Sequence, residues 1–217
     1  IFFFGFFNFA NAQNTLLLKN GKKVTVLVEL QARFDEENNI YWANKLQEEG
    51  AKVIFGVPGL KVHSKLFLIT TKEGGKELKY AHIGTGNFNE KTASIYSDLA
   101  LLTSDREISL EVNKVFKLLE NNLERYQFRN LLVSPFNTRR KLISYIDNEI
   151  ANAKAKKSAS IKIKINNITD IKIIEKLYYA SQCGVKIQMI IRGICCMKPG
   201  VKGLSDNIEA ISLVDRY

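Results

Sequence analysis

The chain has 217 residues, 46% of them hydrophobic and 25% charged, with a net charge of +10. That balance excludes a disordered chain, and no apolar run reaches the eighteen or so residues of a membrane-spanning helix. Cys183, Cys195 and Cys196 are too few and too irregularly spaced for a disulfide framework or a zinc site, so buried thiols in a reducing compartment are expected.

The opening Ile1-Phe2-Phe3-Phe4-Gly5-Phe6-Phe7 has no basic flank or small-residue cleavage site and reads as a buried strand. It begins without methionine, as expected of a segment taken from inside a longer chain. Val24–Val28 follows Asn20-Gly21 as a β-branched strand. Ile40, Trp42, Ala43 and Leu46 place a helix over 38–49, ended by Gly50. Strands are predicted at Val53–Phe55, Leu66–Ile69, Tyr80–Ile83 and Leu99–Leu102, with a hairpin tip at Gly74-Gly75. Val112, Val115, Phe116 and Leu119 mark a helix over 110–125. Residues 126–138 read as a crossing between domains. Beyond it come a helix over 138–154, a half-buried strand at Ser160–Ile165, a helix over 170–181, a strand at Val185–Ile191 and another around Ile211–Val214.

Charge divides with this organisation. Residues 1–130 hold 17 basic and 15 acidic side chains, whereas residues 131–217 hold 15 and 7. The second part is therefore the one that attracts polyanions. The two parts also repeat: Asn20–Glu29 matches Cys183–Arg192, each a glycine leading into a buried strand that ends in a charged residue. If the repeat continues, Val53–Phe55 matches Ile211–Val214, and a second histidine-bearing strand follows Tyr217.

Chemistry concentrates in Val62-His63-Ser64-Lys65 and in Gly84-Thr85-Gly86-Asn87-Phe88-Asn89. On a strand, His63 and Lys65 would share a face, setting a nucleophile or base beside a fixed cation. The glycine turn offers backbone N–H groups, a hydroxyl and the Asn87 carboxamide, the donors a phosphate needs. Sequence offers no argument that His82 shares a face with Lys65 or this turn, which makes it the weaker nucleophile. Arg33 and Arg192 can each grip phosphate through two N–H groups.

These runs, with Val28–Ile40 and Ile191-Arg192-Gly193-Ile194-Cys195-Cys196, resemble the polyphosphate kinase family over nearly all of residues 20–217. The resemblance implies an α/β fold of two phospholipase D-like halves, residues 1–130 and an incomplete 131–217. It implies reversible transfer of the terminal phosphate of ATP to inorganic polyphosphate, through phosphorylation of His63. Tyr96 and Arg192 match nucleotide-contacting positions, and Arg33 matches one associated with Mg2+. The expected partners are ATP, ADP and polyphosphate, without nucleic acid. A homo-oligomer is expected for the full-length enzyme, in the cytoplasm, with any membrane association through a complex. Phe3 falls near a position where the family carries arginine. Phospholipase D relatives carry an aspartate in the stretch corresponding to Leu68-Ile69-Thr70-Thr71. Its lack here favours a phosphotransferase over the alternatives, a phosphodiesterase or a non-catalytic polyanion-binding module.

Overall fold

The computed structural model describes residues 2–4, 18–28, 36–121 and 124–213. The chain divides into two compact units, Ile1–Leu131 and Leu132–Arg216.

The first unit is built on a six-stranded mixed sheet. Its strands are β1 (Phe2–Phe4), β2 (Thr25–Val28), β3 (Lys52–Phe55), β4 (Lys65–Glu73), β5 (Lys76–Gly84) and β6 (Ala100–Thr103). They lie in the order β3-β2-β1-β4-β5-β6. β1, β2 and β3 are parallel, and β4, β5 and β6 are antiparallel neighbours. Val24, Val26 and Val28 are buried with Ala43 and Leu46 of helix α1 (Glu36–Glu48). β-Branched residues pack well on a pleated surface, and each fully buried one contributes roughly 1.5–3 kcal/mol. A short helix, α2 (Glu90–Ala93), is capped by the Asn89 side chain. Helix α3 (Arg106–Glu120) starts at Asp105, whose carboxylate accepts the Ile108 N–H, and buries Val112, Val115, Phe116 and Leu119. It packs over β4 and β5.

The second unit holds α4 (Thr138–Lys154), β7 (Ser160–Ile165), α5 (Ile171–Gln182), β8 (Lys186–Ile191) and β9 (Ile208–Ile211). The three strands form a parallel sheet in the order β7-β8-β9. Its core joins Ile146 and Ile150 of α4, Ile174 and Leu177 of α5, and Ile187, Met189, Ile191 and Ile208 of the sheet.

The repeat read from the sequence has a structural form. Gly21 and Gly184 both have positive φ, 71° and 92°, at the end of a helical turn before β2 and β8. Each of these strands then pairs in parallel with β3 or β9. The last strand lies at Ile208–Ile211, earlier than the expected Ile211–Val214. The third helix likewise begins and ends earlier than the expected 110–125, because Asp105 caps it. Cys195 and Cys196 are exposed and Cys183 is partly exposed, which corrects the expectation of buried thiols. The two exposed thiols follow the end of β8 in a loop, outside the alternating burial of the strand. No helix among the described residues is long and apolar enough to cross a membrane.

Candidate functional site

β4 begins at Lys65, so His63 lies in the loop before the strand. This corrects the expectation that strand alternation aligns the two side chains. A direct contact relates them instead: the Lys65 Nζ donates to the His63 main-chain oxygen at 2.5 Å. Lys65 is only 5% exposed, whereas His63 is exposed. Burial lowers the Lys65 pKa from 10.5 to about 8, with the Asp98 carboxylate pulling the other way. Partial desolvation, then the charges of Lys65 and Lys61, hold the His63 imidazole below its ordinary 6.5. At neutral pH the pair is thus an uncharged imidazole, with a lone pair to donate, beside an ammonium ion.

The antiparallel register of β4 and β5 pairs Lys65 with Gly84 and Phe67 with His82. Paired residues lie on the same face, so His82 does share a face with Lys65, as sequence alone could not show. It is nevertheless 9% exposed. Its ring stacks on Phe67 at 4.8 Å and tilts against Phe88 at 5.0 Å. Burial lowers its pKa, and Nδ1 has no hydrogen-bond partner. That environment suits a neutral aromatic plate better than a group that must gain charge.

The two glycines of the turn are explained by what lies against them. A Cβ on Gly84 would stand 2.7 Å from Cε1 of His82, and one on Gly86 would stand 2.2 Å from Oδ2 of Asp98. The Thr85 hydroxyl donates to Asp98 Oδ1 at 2.9 Å and accepts from the Leu99 N–H at 3.0 Å. The Thr85 N–H donates to Leu99 O. Both Thr85 groups, expected to face phosphate, therefore have internal partners. Asn87 retains a buried Oδ1 with none. Exchanging the two ends of that amide would present two N–H donors at the same place.

Asp98 is the residue that sequence reasoning missed. It braces the turn and acts electrostatically on Lys65. The available signal was its place directly before the apolar run Leu99–Leu102, two residues after Tyr96. Tyr96 itself is 53% exposed, so it is not a core aromatic. Arg192 is exposed immediately after β8, in the second unit. Arg33 lies outside the described residues.

Residues 13–125 match the family described as polyphosphate kinase C-terminal domain 1, and residues 131–217 match polyphosphate kinase C-terminal domain 2. The chain belongs to the polyphosphate kinase family. The polyphosphate kinase of Vibrio cholerae is 58% identical over 198 residues, 91% of this chain and 28% of the relative. That of Escherichia coli K12 is 55% identical over 198 residues, 91% of this chain and 29% of the relative. The crystal structure of polyphosphate kinase from Porphyromonas gingivalis matches 100% of this chain and 36% of its own, with a TM-score of 0.83 and 38% identity. The two α/β units are thus phospholipase D-like C-terminal domains of polyphosphate kinase, and the chain spans about a third or less of the relatives it matches.

Proposed function

We propose that this chain is part of an ATP:polyphosphate phosphotransferase in which His63 carries the phosphoryl group. The observation that carries the reading is the exposed His63, its imidazole held below its ordinary pKa, with its main-chain oxygen accepting from the buried Lys65 ammonium. The imidazole forms an N–P bond to the terminal phosphorus of ATP while the bond from that phosphorus to the bridging oxygen breaks, and ADP leaves. A terminal oxygen of polyphosphate then attacks the same phosphorus, the N–P bond breaks and the imidazole is restored. Lys65 offsets charge on the transferring oxygens, and Asn87 supports them from the turn. Tyr96 and Arg192 serve the nucleotide, Tyr96 through an accessible ring and Arg192 through a phosphate contact. The stretch where phosphodiesterases of this fold carry an aspartate is Leu68-Ile69-Thr70-Thr71 here, and the lack of that carboxylate supports transfer over diester hydrolysis.

Among the described residues no group of three or more His, Cys, Asp or Glu side chains could hold a metal ion, and a guanidinium at Arg33 cannot ligate a cation. Mg2+ would supply charge neutralisation on the ATP phosphates, and Arg33 would serve those same phosphates. Cytoplasmic location and a homo-oligomeric full-length enzyme belong to the same proposal.

The test is incubation of the full-length protein with γ-labelled ATP and magnesium. Label should be lost in acid, survive base, and be absent from His63→Ala together with polymer synthesis. Labelling retained in His63→Ala would move the nucleophile elsewhere.

A further inference from the structure

In open parallel sheets ligands meet the loops at the carboxyl ends of the strands. In the second unit those loops follow β7 and β8, and they are tied together. The Arg192 N–H donates to Ile165 O at 3.1 Å and the Gly193 N–H to Asn166 O at 2.7 Å. The next donor, the Ile194 N–H, meets no main-chain oxygen of the neighbouring loop. It goes to the side-chain Oδ1 of Asn167 at 2.8 Å. The ladder then resumes, with the Ile168 N–H on Ile194 O at 2.8 Å and the Cys196 N–H on Ile168 O at 3.0 Å. Asn167 therefore stands in for one missing rung. Its own loop is well anchored: Ile168 is buried in the core, and the Asp170 carboxylate caps α5 and pairs with Arg139 at 2.6 Å. Gly193 fits the same contact, since a Cβ there would stand 2.6 Å from Asn167 Oδ1 and 3.2 Å from Asn166 O.

With the N–H groups of residues 192, 193, 194 and 196 engaged inward, this loop is not a backbone anion nest. The phosphate contact proposed for this loop is that of the exposed Arg192 side chain. We infer that Asn167 is a positioning residue that holds the Arg192 loop in its nucleotide-binding conformation; this rests on the proposed reading of Arg192. Asn167 and Ile194 are exposed, so water can satisfy the Ile194 N–H when Asn167 is replaced. The loss falls on loop order and leaves the fold intact.

The experiment uses the full-length protein and two readouts: amide exchange at Ile194, and KM for ATP against kcat. Asn167→Ala should speed Ile194 exchange and raise KM for ATP about fivefold, the equivalent of one hydrogen bond, with kcat and melting temperature nearly unchanged. Asn167→Asp keeps an acceptor and should restore slow exchange. Gly193→Ala should reproduce the Asn167→Ala change, and the two effects should combine to less than their product. Unchanged exchange in Asn167→Ala overturns the inference. So does faster exchange at unchanged KM when Arg192→Ala still raises KM, an outcome that leaves the reading of Arg192 standing. If Arg192→Ala itself leaves KM for ATP unchanged, that reading falls and the inference with it.

Discussion

Lys65 sets the alkaline edge of the site. Its ammonium gives up a proton near pH 8 because burial penalises the charge. His63 stays neutral down to a pH below its ordinary 6.5. Between these limits the site holds a neutral imidazole and a charged lysine, so on the proposed role of His63 kcat/KM of the full-length enzyme should plateau there and fall above about pH 8. Lys65→Arg should lose that alkaline fall, because a guanidinium keeps its proton. An unchanged alkaline limb in the variant assigns the limb to another group. The same shift acts on stability. The folded chain binds fewer protons than the unfolded chain between about 8 and 10.5, so the contribution of Lys65 rises with pH through that window. Residue types and spacing marked His63, Lys65 and Asn87 as candidates, because phosphate chemistry calls for a nucleophile, a fixed cation and an amide donor. Asp98 was not legible. It reaches the turn through a hydrogen bond across thirteen residues, and nothing local in its neighbourhood announces that return. His82 was legible as a histidine of the site block, but its place among aromatic rings depends on the β4–β5 register.

Among the elements, α3 carries a feature that hydrophobic periodicity does not show. Glu111 lies on its buried side, 5% exposed. Its carboxylate accepts the N–H groups of Arg129 at 2.7 Å, Asn130 at 3.1 Å and Leu131 at 2.8 Å. Burial alone would raise its pKa, but those three bonds together hold it below the usual carboxylate value. The segment that ends the first unit is thereby fixed to the helix by one side chain. Glu111→Ala leaves three donors without their acceptor and should cost about 3 kcal/mol, read from chemical denaturation. Glu111→Gln keeps one acceptor oxygen and should cost less. A loss in Glu111→Ala within about 0.5 kcal/mol, the range of ordinary surface changes, would show that water replaces the carboxylate. The depressed pKa gives the direction with pH. The contribution is complete above the ordinary carboxylate pKa and is lost as pH falls through the lower, folded value. A reader of sequence sees Glu111 as an exposed charge at the start of an apolar stripe, since the linker that buries it lies eighteen or more residues away. The elements themselves were legible wherever apolar residues kept a clear period. Boundaries slipped where a polar cap decided them, as at Asp105.

For the molecule as a whole, the repeat and the charge distribution are two readings of one architecture. β1-β2-β3 and β7-β8-β9 are corresponding parallel triples, each with a positive-φ glycine before its middle strand. In the first unit, β1 goes on to pair with β4, the strand that follows His63. The corresponding edge of β7 carries no strand among the described residues. Similar frameworks therefore carry unequal surfaces, with a net +2 over residues 1–130 and +8 over residues 131–217. Polyphosphate is a dense polyanion, and its attraction to exposed lysines weakens as salt screens them. Binding of polyphosphate to the 217-residue chain should accordingly weaken steeply with added salt. The dependence should belong mainly to the second unit. Changing the exposed Lys157, Lys162, Lys164 and Lys186 to Gln should flatten the salt dependence. The same number of changes at Lys19, Lys22, Lys72 and Lys76, exposed in the first unit, should alter it less. Each lysine removed near the bound chain lowers the slope of log affinity against log salt by somewhat under one unit, by analogy with single-stranded nucleic acid at about 0.7. Titration of labelled polyphosphate at several salt concentrations measures both slopes. Equal slopes in the two quadruple variants would mean that polyphosphate responds to the total charge of +10, and that the basic excess of residues 131–217 does not localise it.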